Sequence, residues 1–133
     1  MAADPVYVAS ALSNPVSFAT VNADVSGASG SFSTVVTAGA GGARVVSIIV
    51  RAVNSTAGGT ILYLFHNSGG TRRNIGHIVV PANVDPAGGR TPCWEGIWFN
   101  PNADGFLASG DSIDICAHGG KTTYHAWAIG AHY

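Results

Sequence analysis

One stretch limits the fold more than any other: Ile61-Leu62-Tyr63-Leu64-Phe65-His66-Asn67, bounded by Ala57-Gly58-Gly59 before it and Ser68-Gly69-Gly70 after it. A short apolar run closed by glycine pairs reads as a β-strand buried on both faces. The run Arg44-Val45-Val46-Ser47-Ile48-Ile49-Val50-Arg51 has the same character. Two such strands joined by a short Gly/Asn/Ser/Thr loop predict a hairpin at the centre of a β core. Other segments then read as strands added to that centre.

Along the chain, Asn14-Pro15 opens a strand at Val16 to Val21, and Phe32 to Thr37 alternates as a half-buried strand. Ser26-Gly27-Ala28-Ser29-Gly30-Ser31 reads as a flexible loop. Asn74 to Val80 is a third core strand, stopped by Pro81. In Trp94 to Asn100, Trp94, Gly96 and Trp98 face one way and Glu95, Ile97 and Phe99 the other. Ser112 to His118 alternates likewise, with Ile113, Ile115 and Ala117 on one face. Thr122 to Gly130 is the last strand. The expectation is an all-β antiparallel sandwich or barrel of about eight strands, without a helix. Residues 1–15 are expected to form an extended arm, and residues 16–133 a single domain.

Charge and composition narrow the function. Only 10% of residues are charged and the net charge is −1, so nucleic-acid binding has no electrostatic basis. No run of about 20 apolar residues predicts a membrane span. Met1-Ala2-Ala3-Asp4-Pro5 lacks the basic start and apolar core of a signal peptide. Synthesis in a reducing cytosol is therefore expected, with Cys93 and Cys116 as free buried thiols.

Catalytic and metal signatures are missing. His66, His77, His118, His125 and His132 are scattered over strands without the two-residue spacing that sets ligands on one strand face. There is no Gly-x-Ser-x-Gly elbow, and the glycines at 39, 41 and 42 lead into a strand, not a phosphate-binding helix. The expectation is a protein that is not an enzyme and holds neither cofactor nor metal. Trp94, Trp98 and Trp127 on a β face suit sugar stacking, but core packing or subunit burial is the simpler account.

Three segments resemble a family of small virion proteins of tailed bacteriophages. They are Thr37 to Ala52, then Gly59 to Gly69 with Ile78-Val79-Val80-Pro81-Ala82, and the C-terminal Leu107-Ala108-Ser109-Gly110-Asp111-Ser112-Ile113 with the strand after it. Where the family ends in Gly-Gly-x-Tyr, this chain has Gly130-Ala131-His132-Tyr133. The resemblance covers roughly residues 37–133. It implies a jelly-roll sandwich acting as a decoration or cement protein on the capsid surface of a virion, with the major capsid protein as partner. A tail-fibre or spike domain that binds host glycan is the alternative. A homo-oligomer is expected from the residues themselves, a trimer before a dimer, because Trp94, Trp98 and Tyr133 exceed what one small core needs. With Val6-Tyr7-Val8 of the arm, these three are the candidate protein-interface residues; Pro5 before that apolar triplet suits an edge strand added to a neighbour.

Overall fold

In the computed structural model, residues 10–12, 15–53, 59–82, 94–101, 105–119 and 123–133 are described. They form ten strands and no helix: β1 (Ser10–Ala11), β2 (Val16–Phe18), β3 (Ser33–Thr37), β4 (Ala43–Ala52), β5 (Thr60–Ser68), β6 (Thr71–Val80), β7 (Glu95–Phe99), β8 (Phe106–Leu107), β9 (Ser112–Ala117) and β10 (Tyr124–His132). Eight correspond to strands expected from sequence. The short β1 lies where an arm was expected, and the two-residue β8 is a further pairing beside β4. Accordingly, no described helix is long and apolar enough to cross a membrane.

Two antiparallel sheets pack as a sandwich. One has the order β1-β10-β4-β7, with β2 also beside β10 and β8 beside β4; the other has the order β3-β9-β5-β6. The two apolar runs that anchor the sequence reading are therefore not a hairpin. β4 lies in the first sheet and β5 in the second. The segment between Ala52 and Thr60 is long enough to cross the roughly 10 Å between packed sheets. The hairpin is instead β5–β6, where Ser68 pairs with Thr71 and Gly69 and Gly70 supply the two positive φ angles, 59° and 86°. A two-residue turn of this kind matches the twist of its strands, and glycine meets its positive φ angles without steric cost.

Val45, Ile48, Val50, Leu62, Leu64, Ile113, Ile115, Tyr124 and Ala126 fill the space between the sheets. β4 reaches this core on one face only, since Arg44, Val46 and Arg51 are exposed. Its inward parity also changes. Ile129 pairs with Ser47 but Gly130 pairs with Val45, so Val46 is an extra residue in a bulge. Ala43 and Val45 point inward before the bulge, and Ile48, Val50 and Ala52 after it. In β5, Leu62, Leu64 and Phe65 are buried while Ile61, Tyr63, His66 and Asn67 are half-buried. The strand buried on both faces along its whole length is β9.

The start of the chain also differs from the expected free arm. Ser10 and Ala11 pair with His132 and Ala131 of β10, and Leu12 is a core residue. Residues 10–12 thus belong to the sandwich, because the edge of β10 beyond β2 leaves backbone groups for them to bond. Val6, Tyr7 and Val8 lie outside the described residues.

Candidate interaction surface

The two outward faces of the sandwich are treated differently. Over β9 and the turn end of β5–β6 in the second sheet, the face is covered by the segment between β2 and β3, while His77 and Val79 further along β6 stay exposed. Asn22 donates its backbone N–H to Ala117 O, and Ala117 donates to Thr20 O, which starts the segment along the edge of β9. From there side chains fold it on itself. Asn22 Oδ1 accepts the Asp24 N–H, and Asn22 Nδ2 donates to Ser29 O at 2.8 Å. The Asp24 carboxylate accepts from the amides and hydroxyls of both Ser26 and Ser29. Those bonds, the Ser26 hydroxyl foremost, hold the Asp24 carboxyl well below the usual carboxylate range. The stretch expected as a flexible loop is thus a bonded cover. The Asn22-x-Asp24-x-Ser26 spacing, one Asx turn feeding the next, was the available signal.

Beneath this cover lies a polar cluster on the outward face of β9. Asp114 is 1% exposed. It accepts hydrogen bonds from Thr34 Oγ1 (2.9 Å), Ser112 Oγ (3.1 Å), Asn67 Nδ2 (3.3 Å) and Arg72 Nε (2.6 Å). The Arg72 guanidinium also lies 4.3 Å from the ring centroid of Phe32, and Phe32 packs edge-on against Phe65. A carboxylate in such a place is tolerated because four donors, one of them the Arg72 cation, replace its water. Cys116, next on the same face, is a free buried thiol whose Sγ faces Asn22 O at 3.8 Å. Burial pushes it up to about 11, which makes it a poor nucleophile. Cys93 lies outside the described residues.

The outward face of the first sheet carries no comparable cover among the described residues. Register sets its side chains in three rows across β7, β4 and β10: Glu95–Arg51–His125, Ile97–Ile49–Trp127 and Phe99–Ser47–Ile129. Phe99 is 70% exposed, and Val46, Ile97, Phe106 and Ile129 are each exposed by more than two-fifths. Ile49 and Trp127 are half-buried. Arg51 and Glu95 form an ion pair at one end of the face, and Arg44 stands at the other, opposite Phe106. Contiguous exposed apolar side chains rimmed by charge mark an interaction surface.

Trp127 lies on this face, but Trp94 and Trp98, the tryptophans expected at an interface, sit elsewhere. The split of β7 into two faces holds, but the tryptophan side turns inward. Trp98 is 7% exposed and belongs to the core. Its indole lies against Gly76 of β6, where any Cβ would collide with Nε1, so the ring bridges the neighbouring edges of the two sheets. Trp94 is half-buried over Gly96 and packs against the same core. Tyr133 is half-buried and donates its backbone N–H to Gly42 O. Trp94 and Trp98 therefore serve the core, and the surplus that favoured a trimer shrinks accordingly. The surface residues are their β7 neighbours Ile97 and Phe99.

Other polar groups are dispersed. His66 Nε2 lies 2.8 Å from Asp111 Oδ2, while His77, His118 and His125 are exposed. No three His, Cys, Asp or Glu among the described residues are grouped to hold a metal ion. Comparison with protein-family models, curated proteins and solved structures finds no match for this chain.

Proposed function

We propose that this protein is a structural component of a virion, a decoration or cement protein that binds and stabilises the shell of the major capsid protein. The observation that carries the reading is the exposed apolar face built on Ile97, Phe99 and Ile129, on a sandwich whose opposite side offers a second, smaller group, Val79 paired across strands with the half-buried Ile61. A cementing protein needs two such surfaces, one for its own kind and one for the shell. Connectivity supports the same reading. With the short β1 and β8 set aside, the sheets run β2-β10-β4-β7 and β3-β9-β5-β6. We read this interleaving as the two Greek keys of a jelly roll, an architecture common in capsid proteins. The Thr37–Ala52 and Gly59–Gly69 resemblance to phage virion proteins points the same way.

The test uses shells assembled from the major capsid protein encoded in the same genome. Cement activity predicts co-sedimentation at saturating stoichiometry and a higher temperature of shell disruption. Shells that neither retain the protein nor gain stability would refute the reading. One feature favours a second reading, a fibre or spike domain that binds host glycan: Trp127 is half-buried beside the polar row Arg51, Glu95 and His125, an aromatic surface flanked by hydrogen-bonding groups. Saturable binding to host surface polysaccharide, lost in Trp127→Ala, would favour it.

A further inference from the structure

We infer that the open face of the β10-β4-β7 sheet is covered in solution by a second copy of this chain, packed face to face about a two-fold axis. The inference goes beyond the capsid reading and does not depend on it.

The apolar area of the face suits a partner of this kind. Five exposed large side chains with Ile49 and Trp127 offer apolar surface on the order of 500 Å², taking full aromatic side chains at ~150–250 Å². That lies towards the upper end of what a monomer leaves exposed, roughly 300–600 Å². With its polar rim, the face approaches the ~800 Å² per partner of a standard stable interface. Its centre holds no charge, and Arg44, Arg51 and Glu95 stand only at the two ends of the face. A permanent interface between copies has this division into apolar centre and charged rim.

The shape of the face suits it as well. Ser47 is buried between Phe99 and Ile129, so the row Phe99–Ser47–Ile129 has a hollow at its middle. The adjacent row Ile97–Ile49–Trp127 is filled throughout. A two-fold axis lying in the interface and crossing β4 near Ile48 lays each filled row on the other copy's hollow row. Ile49 of each copy then meets Ser47 of the other, Ile97 meets Phe99, and Trp127 meets Ile129. Such self-complementarity is what an isologous interface requires. It closes at two copies, as sheets stacked about 10 Å apart do in sandwiches.

The test is the mass of the full chain by sedimentation equilibrium, with Phe99→Glu and Ile97→Glu as interface variants. Val79→Glu is the control, because Val79 is 61% exposed on the other sheet. All four proteins are first checked for the same circular dichroism. A dimer is expected for the wild type and for Val79→Glu near ~10 µM, with dissociation constants raised at least ~100-fold in the two face variants. A wild-type monomer or trimer, or face variants that stay dimeric, would overturn the inference. So would a monomer that holds capsid shells through Phe99, because the shell would then be the occupant. The measurement needs no capsid, so failure to dimerise and failure to cement are read separately.

Discussion

Replacing Arg72 by methionine removes the cation above Asp114 while keeping most of the side chain's apolar stem. Removing one partner of a fully buried ion pair costs ~3–5 kcal/mol, because the remaining charge is left without compensation. Here the cost should be lower. The Arg72 side chain is 29% exposed, so water reaches the site once the guanidinium is gone, and Thr34, Ser112 and Asn67 go on donating to the carboxylate. Loss of the Phe32 contact adds a smaller amount. We expect a loss of about 2–3 kcal/mol, which for a domain of this size lowers Tm by roughly 10 °C. Asp114→Asn added to Arg72→Met should restore part of that loss. The new amide can donate to Asn67 Oδ1, a buried oxygen that has no hydrogen-bond partner among the described residues. A double-mutant cycle by urea unfolding should give a coupling of about 1–2 kcal/mol. A Tm change in Arg72→Met below about 2 °C, or strictly additive single changes, would show that the cluster does not hold the cover to β9.

Three further outcomes follow from the same geometry. Gly76→Ala should cost about 1–3 kcal/mol through overpacking against the Trp98 indole, and Trp98→Phe in the same chain should recover part of it; equal stability of Gly76→Ala and wild type by thermal melting contradicts that packing. Cys116 should resist a thiol reagent at pH 8 until the protein is unfolded. Burial favours its protonated form in the folded state, and Tyr124 is pushed up for the same reason, so stability should be complete below pH ~9 and decline as pH rises from there through about 11; fast labelling of the native protein, or flat urea midpoints between pH 8 and 10.5, would speak against it. Deleting residues 2–9, and not the longer stretch that includes Leu12, should leave Tm unchanged and weaken retention on shells; undiminished retention would deny Val6-Tyr7-Val8 a part in attachment.

What the sequence determined by itself was local. Glycine-bounded, β-rich runs set the strand identity of β4, β5 and β6, and period-two alternation divided β7 and β9 into two faces. Alternation cannot say which face is covered, because that depends on where distant strands lie. The tryptophan side of β7 turned inward only because β6 offers Gly76 to receive Trp98, leaving Ile97 and Phe99 outside. The outward face of β9 carries Ser112, Asp114 and Cys116, and Asp114 is buried there because the segment from Thr20 to Phe32 folds over it and Arg72 reaches across from β6. β4 and β5 read alike but joined different sheets, since partner strands more than forty residues away, β7 and β9, compete for their edges. The open face itself was a tertiary product. Ile97, Ile49 and Trp127 come from three separate stretches of chain, and only cross-strand register brings them into one row.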